Sequence, residues 1–286
     1  MTREYTAIDH YFVLGNPIAH SKSPQIHARF AELTGQVMDY RTLLTPLDGF
    51  AATLAQLVQD GSCGCNVTVP FKFEAFQVAS TQSDRAQLAL AANTLVVKNR
   101  MVHADNTDGI GLVNDIQNNA GVALAGADVL LIGAGGAGAG ALGPLLAARP
   151  RRLVLVNRTK AKADLLAARH RAHSSLNAAL QKTELLTQDL QALDGNFDVV
   201  INASASSLSG SAVPVDSRVL KPGALAYDMM YGPAAAGFMT WAGEHGAHPR
   251  DGLGMLVEQA AEAFSLWRGV RPPAAQVLQE MRARLA

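Results

Sequence analysis

The sequence predicts an α/β chain of two domains, and three observations carry that prediction. Short β-rich runs alternate with longer Ala- and Leu-rich stretches of helical spacing, the pattern of a parallel sheet covered by helices. The pattern pauses at the connection GVALAGA (121–127) and then restarts. With 286 residues, 49% of them hydrophobic, the chain exceeds one domain at roughly 100–200 residues each and has enough apolar side chains for two cores.

In the first third, YFVLG (11–15), a run near 37–44, CNVTV (65–69), NTLVV (93–97) and a run near 101–104 read as strands. Helical spacing covers 24–34, 48–59, 71–79 and 83–90, and a further helix is expected near 107–119. The second block reads as strands DVLLIG (128–133), RLVLVN (152–157), TELLT (183–187), FDVVINA (197–203) and ALAYDM (224–229). Helices near 137–148, 160–170 and 233–245 separate them. Two last helices, 253–267 and 273–285, have no strand to feed, so they are expected to fold back onto the first domain. The expected division is 1–106 with 252–286 as one domain and 107–251 as the other, with a ligand cleft between them.

Charge excludes several partners. Lys and Arg total 24 against 24 Asp and Glu, and only 17% of positions are charged. A protein that binds nucleic acid or an anionic membrane surface carries a basic excess, so neither is an expected partner. The beginning MTREYTAIDHYF has acids at Glu4 and Asp9 and no long apolar run, so it does not read as a signal peptide. GAGGAGAGALGPLLAA is too rich in glycine, and Pro144 interrupts it, for a membrane span. Cys63 and Cys65 are one residue apart, unsuited to an ordinary disulfide and too few for a zinc site. The expectation is a cytoplasmic enzyme without a metal, and neutral surface charge is compatible with a monomer or a homodimer.

The most informative turn is Gly133-Ala134-Gly135-Gly136-Ala137-Gly138, which meets the G-x-G-x-x-G spacing after a strand and before a helix. Glycines there allow a tight turn and close approach of a pyrophosphate to the positive helix N-terminus, as in Rossmann-type dinucleotide sites. About 20 residues on, an NAD site carries an acid for the ribose hydroxyl. Here stand Asn157, Arg158 and Thr159, with Lys160 and Lys162 behind. Arg158 can bond a 2′-phosphate and Lys162 adds positive potential, so NADP is favoured over NAD.

Five further motifs are polar where a structural loop has no need to be. GNPIAHSKSPQIH (15–27) places Ser21, Lys22 and Ser23 before Pro24 at a helix start, which suits a carboxylate but equally fits an ordinary helix cap. NVTVPFK (66–72) carries Asn66, Thr68 and Lys72; AANT (91–94) carries Asn93; DNTDG (105–109) carries Asp108; and DGLGMLVEQAA (251–261) displays Gln259. A Lys and an Asp converging on one site would make a proton-transfer pair, which spacing alone does not establish.

Taken in order, GNPIAHSKSP, NVTVPFK, DNTDG, GAGGAG, NRT, YDMMY and DGLGMLVEQAA resemble the shikimate dehydrogenase family over nearly the whole chain. The resemblance implies reversible reduction of 3-dehydroshikimate to shikimate with NADPH, in the aromatic amino-acid pathway, on an N-terminal α/β substrate domain completed by C-terminal helices and joined to a Rossmann-type NADP-binding domain. It implies carboxylate ligands at Ser21, Ser23 and Tyr231, ring-hydroxyl ligands at Thr68, Asn93, Asp108 and Gln259 with Asn66 beside them, and proton transfer by Lys72 paired with Asp108. It further implies a pyrophosphate loop from Gly133 to Ala137, a phosphate clasp from Asn157 to Lys162, nicotinamide contacts at Met229 and Gly252, and an acid near the cofactor at Asp84.

Three departures stand against the family pattern. Gly138 and Ala139 replace a Ser-Arg pair, the run from Asn202 to Ser207 lacks its glycine, and Lys162 stands where Arg is common. Two other readings are weighed: an NAD-dependent quinate/shikimate dehydrogenase, disfavoured by SKS and by NRT without a following Asp, and a dinucleotide-sensing protein without turnover, which has little need of Lys72 and Asp108 together.

Overall fold

The computed structural model describes residues 8–204, 206 and 213–285. The chain forms two compact units: Met1–Thr107 with Ala260–Val277, and Asp108–Gln259 with Leu278–Ala286.

The first unit contains, in chain order, β1 (Asp9–Gly15), α1 (Ser23–Thr34), β2 (Met38–Leu44), α2 (Phe50–Gln59), β3 (Gly64–Val67), α3 (Lys72–Val78), β4 (Thr81–Gln82), α4 (Asp84–Ala89), β5 (Thr94–Lys98) and β6 (Met101–Asp105). Its sheet runs β2-β1-β3-β5-β6-β4. The alternation of strands and helices predicts a parallel sheet, yet β5 is antiparallel to both β3 and β6. The reason is local. Only Asn99 and Arg100 separate β5 from β6, both with positive φ (52° and 62°), so the connection is a tight hairpin rather than a helical crossover.

Leu14, Phe50, Val67, Phe71 and Leu95 are among the buried side chains of one core face. On the other side Ile26 and Phe30 of α1 are fully buried, and Phe30 meets Phe264 edge-on at 5.7 Å. Trp267 donates from Nε1 to the Leu95 carbonyl at 3.0 Å. A Cβ on Gly64 would lie 2.6 Å from that Nε1, so β3 admits the indole only because residue 64 is glycine.

The second unit contains α5 (Asp108–Asn114), continued by a π-helical turn over Asp115–Asn119, then β7 (Asp128–Ile132), α6 (Gly136–Ala147), β8 (Arg152–Asn157), α7 (Lys160–Ala172), α8 (Asn177–Leu180), β9 (Glu184–Asp189), β10 (Phe197–Asn202), β11 (Leu220–Asp228), α9 (Ala236–Glu244) and β12 (His248–Arg250). The sheet is parallel, in the order β12-β11-β10-β7-β8-β9. Counted from β7, this is the doubly wound 3-2-1-4-5-6 arrangement, with its switch point between β7 and β10. Every residue of β7 is buried, as a strand covered by helices on both faces must be.

The π turn has an identifiable partner set. Asp115 is fully buried and accepts from Arg250 Nε at 2.8 Å, Arg250 Nη2 at 2.6 Å, Tyr227 Oη at 2.8 Å and Asn119 Nδ2 at 3.0 Å. A Cβ on Gly254 would sit 1.9 Å from Asp115 Oδ1, so the glycine leaves the space that the carboxylate fills.

Helices α10 (Leu253–Arg268) and α11 (Ala274–Leu285) complete the chain. By packing, α10 gives Leu253–Gln259 to the second unit and Ala260–Arg268 to the first, whereas the sequence reading keeps 252–286 together in the first. No helix among the described residues is long and apolar enough to cross a membrane.

Candidate active site

In the first unit the expected substrate residues sit on loops that leave the sheet at one set of strand ends. Gly15 ends β1, and a Cβ there would approach Thr68 Cγ2 to 2.5 Å, so the glycine lets the two loops close on each other. Asn16 N donates to Val69 O at 3.0 Å and Thr68 N to Leu14 O at 2.9 Å, joining the loop of Ser21 and Ser23 to the loop of Thr68. Ser23 opens α1 with Pro24 in the first turn, and its backbone N donates to Ser21 Oγ at 3.3 Å. Ser21 and Thr68 are half-buried.

Behind these residues lies a continuous buried chain of hydrogen bonds. Tyr40 Oη donates to Asn66 Oδ1 at 2.7 Å. Asn66 Nδ2 donates to Asn93 O and to Thr94 Oγ1, both at 3.1 Å, and Thr94 Oγ1 donates to Asn93 Oδ1 at 3.0 Å. Asn93 Nδ2 reaches Thr107 Oγ1 at 3.0 Å, while Thr107 N donates to Asn93 Oδ1 at 2.8 Å. Asn66 and Asn93 therefore have fixed amide orientations, because Asn66 Nδ2 faces the Asn93 carbonyl, which can only accept, and Asn93 Oδ1 faces the Thr107 N–H, which can only donate. Each bond contributes about 1 kcal/mol net, and an orphaned group left behind costs more.

Lys72 is the first residue of α3 and is half-buried, and its carbonyl accepts from Ala92 N at 2.8 Å. That bond pins the lysine's backbone beside Asn93. Asp84 is the first residue of α4 and is exposed. The next residue, Arg85, makes a two-pronged pair with Asp105, Nε to Oδ1 at 3.0 Å and Nη2 to Oδ2 at 2.6 Å, and reaches Glu262 at 2.9 Å. Asp105 Oδ1 also accepts from Asn106 N at 2.7 Å and from Ser83 Oγ at 2.6 Å. Burial pushes the Asp105 carboxyl up, but Arg85, Ser83 and the Asn106 amide outweigh it and hold the group below the usual carboxylate range. The carboxylate thus anchors the start of the DNTDG turn.

In the second unit Gly133 follows β7 with φ 111°, a conformation that favours glycine, and a Cβ there would lie 3.0 Å from the Ala203 carbonyl after β10. The turn is therefore at the switch point. Gly138 is the third glycine of the motif, and a Cβ on it would be 2.0 Å from Gly133 O. This gives a physical reason for the departure at 138, since the tight turn leaves no room for a side chain. Gly135 caps α6, and the first helical bond runs from Ala139 N to Gly135 O, which leaves the amides of Gly136 to Gly138 outside the helix ladder.

Asn157 is more than one member of a clasp. Its Oδ1 accepts from Ala134 N at 3.1 Å and its Nδ2 donates to Thr159 O at 2.9 Å, tying the glycine turn to the end of β8. Arg158, Thr159 and Lys162 are exposed. Lys160 is paired with Asp164 at 2.7 Å, whereas Arg158 and Lys162 enter no ion pair among the described residues. The cationic groups open to an anion are thus Arg158 and Lys162.

At the opposite edge of the switch point, Asn202 Nδ2 donates to Asp228 Oδ2 at 3.2 Å and Asn202 O accepts from Met229 N at 3.0 Å. Gly252 N donates to Met230 O at 2.8 Å, and a Cβ on Gly252 would come within 2.3 Å of Met229 O. Met229 and Gly252 are therefore in direct backbone contact. Tyr231 follows, half-buried, and burial raises its phenol pKa, so it is a hydrogen-bond donor at neutral pH.

Asp108 opens α5 and is buried, and Gln259 is buried on α10, where its Nε2 donates to Leu256 O at 2.8 Å. A Cβ on Gly111 would lie 2.7 Å from Gln259 N and Cβ, so α5 and α10 touch backbone to backbone beside these two polar groups. The departures at Ala205 and Ser207 lie outside the described residues. Tyr40, Thr94, Thr107, Arg85 and Asp105 were not singled out by the sequence reading. Asp105 and Thr107, inside DNTDG, and Thr94, inside AANT, stood in motifs that could have drawn attention, whereas Tyr40 and Arg85 stood in none.

A doubly wound unit with a glycine turn at its switch point and cations beside its second strand, in one chain with a unit of ordered amides, hydroxyls and a lysine, defines a nicotinamide-nucleotide-dependent oxidoreductase of two units. Comparison with known proteins makes the class specific. The profile described as the shikimate dehydrogenase substrate binding domain matches residues 13–95, shikimate / quinate 5-dehydrogenase matches 112–209, and the shikimate 5′-dehydrogenase C-terminal domain matches 252–282. The shikimate dehydrogenase (NADP(+)) of an Acidovorax species is 65% identical over 280 residues, covering 98% of each chain. Among solved structures, an Ael1 enzyme from Pseudomonas putida superposes with a TM-score of 0.87 at 44% identity, covering 95% of this chain and 97% of its own. Shikimate 5-dehydrogenase from Thermus thermophilus, in complex with NADP(H) and shikimate, does so with 0.84 at 28%, covering 97% and 100%. This chain belongs to the shikimate dehydrogenase family.

Proposed function

We propose that the chain catalyses the reversible NADP-dependent reduction of 3-dehydroshikimate to shikimate in the cytoplasm, as a monomer or a homodimer. The residues present fit the nucleotide: Gly133 and Gly138 let the turn close where a Cβ would strike backbone, a Cβ on Gly135 would meet nothing within 4 Å, and Arg158 and Lys162 are exposed cations that pair with no acid among the described residues. When bound, NADPH supplies the hydride to the 3-oxo carbon. Gly133 to Ala137 hold the pyrophosphate, Asn157 fixes their turn, Arg158 and Lys162 bind the 2′-phosphate, and Met229 and Gly252 line the nicotinamide. Asp84 is assigned a place near the cofactor.

Ser21, Ser23 and the Tyr231 phenol donate to the substrate carboxylate. Thr68, Asn93, Asp108 and Gln259 hold the ring hydroxyls, with Asn66 beside them. As negative charge grows on the 3-oxygen, the Lys72 ammonium stabilises it and gives up a proton, and in the reverse direction the neutral amine takes the hydroxyl proton. Asp108 orients Lys72 and bonds the neighbouring hydroxyl. The observation that supports this pairing is a short route through the backbone. Lys72 O accepts from Ala92 N, the next residue Asn93 holds Thr107 N, and Asp108 follows Thr107 directly.

Steady-state rates for NADP or NAD with shikimate or quinate test the proposal. NADP with shikimate is expected to give the highest kcat/KM, and a higher value for NAD with quinate would overturn it.

A further inference from the structure

The chain's hydrogen-bonded amides lead back to one side chain that belongs to neither expected ligand set. Tyr40 lies on β2, an edge strand, where alternation places it on the face toward α1 and α10. Its ring stacks on the His27 imidazole at 4.2 Å with an interplanar angle of 13°, and Trp267 stands 6.1 Å away. Its hydroxyl donates to Asn66 Oδ1 at 2.7 Å, and the Ser23 hydroxyl bonds the same phenol oxygen.

The donor and acceptor roles are forced. Asn66 Nδ2 is occupied by two acceptors, Asn93 O and Thr94 Oγ1, so Asn66 Oδ1 is the acceptor and the Tyr40 proton belongs to it. The phenol oxygen can then only accept, and the Ser23 proton points to it. One phenol therefore serves two groups at once: it fills the Asn66 carbonyl and holds the Ser23 hydroxyl. Those groups belong to opposite ends of the assigned substrate, the ring hydroxyls and the carboxylate. Because the ring is clamped flat against a buried, neutral imidazole, the phenol oxygen cannot drift away from either.

We propose that Tyr40 is a positioning residue for substrate recognition, coupling the carboxylate end of the site at Ser23 to the ring-hydroxyl end at Asn66. This rests on the reading that the first unit holds shikimate. A carboxylate arriving at Ser23 turns that hydroxyl away from Tyr40, and the bond to Asn66 keeps the phenol oxygen in place as it does so. Removing the hydroxyl leaves the Asn66 carbonyl without its donor in a buried site, so the amide and the Ser23 hydroxyl lose the contact that holds them in register. Substrate and transition state contact the same groups, so the loss falls mainly on KM.

The test is Tyr40→Phe, which keeps the ring against His27, compared with Ser23→Ala and with the double variant. Wild type is first assayed with NADP and shikimate; no turnover there refutes the functional reading, not this one. Given turnover, Tyr40→Phe is expected to raise KM for shikimate about 10-fold while kcat falls less than threefold and KM for NADP moves less than twofold. In the Ser23→Ala background the same change is expected to raise KM no more than about threefold, because the two residues act through one contact. A purely structural role predicts a lowered Tm with KM for both ligands moving together, and full multiplication of the two single effects. Either result, or a shikimate KM within twofold of wild type, overturns the assignment.

Discussion

His27 should make the first unit acid-sensitive, and the size of the effect follows from its surroundings. The ring has no solvent exposure and lies among Tyr40 at 4.2 Å, Trp267 at 5.3 Å, Phe30 at 6.0 Å and Phe264 at 6.2 Å. Burial pulls its pKa from 6.5 to about 3, with the Asn66 contact opposing in smaller measure. Between those values the unfolded chain binds a proton that the folded chain does not. Stability is therefore fully present above pH 6.5 and falls as pH drops toward 3, at about 1.4 kcal/mol per unit. From pH 7.5 to pH 4.5 the loss from this one group is about 2.7 kcal/mol.

His27→Phe keeps an aromatic ring in the stack and removes the titration. Trp267 is in the first unit and Trp241 in the second, so a Trp241→Phe background lets fluorescence report on the unit that holds His27. In urea unfolding, the variant's stability relative to its parent should rise by about 2.7 kcal/mol between pH 7.5 and pH 4.5. His170 in the second unit, lowered to about 4 by its own burial, is present in both proteins and cancels in the difference. A difference that stays flat over this range would mean the imidazole is not held neutral, and the argument from burial would be wrong.

Lys72→Ala should lower kcat by about 10²–10⁴-fold, with a far smaller change in NADP binding measured by titration of nucleotide fluorescence; turnover close to the parent's would remove Lys72 from the proton-transfer role. Arg158→Ala is expected to weaken NADPH by at least about tenfold and NADH by less than twofold, and equal losses would exclude a 2′-phosphate contact. Gly138→Ser places a Cβ 2.0 Å from Gly133 O, so it should lower Tm and weaken both nucleotides together, a pattern opposite to that of Arg158→Ala; unchanged nucleotide affinity would show that the turn has room to spare.

The nucleotide-binding half was legible because its function is written in short-range chemistry. Glycines at fixed spacing after a buried strand, and an arginine where an acid would stand, are local facts, and the parallel sheet then followed from the strand-helix alternation. The first unit's mixed sheet was less legible, since a two-residue hairpin at Asn99-Arg100 carries none of the usual glycine signal. Strands β4 and β12, of two and three residues, have too little pattern to announce themselves. The positioning groups were the least visible. Tyr40 on an edge strand and Arg85 in the first turn of a short helix look like ordinary surface residues until pairing brings Asn66 and Asp105 to them from 26 and 20 residues away.

The glycines after Asp108 show why a site of this kind needs backbone precision more than extra side chains. A Cβ on Gly109 would lie 2.2 Å from Gly140 O, and residue 144, four positions on in α6, is a proline with no N–H to occupy that carbonyl. Gly111, half a turn further along α5, meets Gln259 of α10 just as closely. The helix that begins with Asp108 is therefore gripped on two sides by main chain, and the buried Asp115 cluster fixes it again one turn beyond. Side chains in those seams would leave rotamer freedom, and an error of about 1 Å at a proton-transfer group costs orders of magnitude in rate. The run DGIG is thus read best as a mounting: the carboxylate does the chemistry assigned to it, and the two glycines determine where it stands.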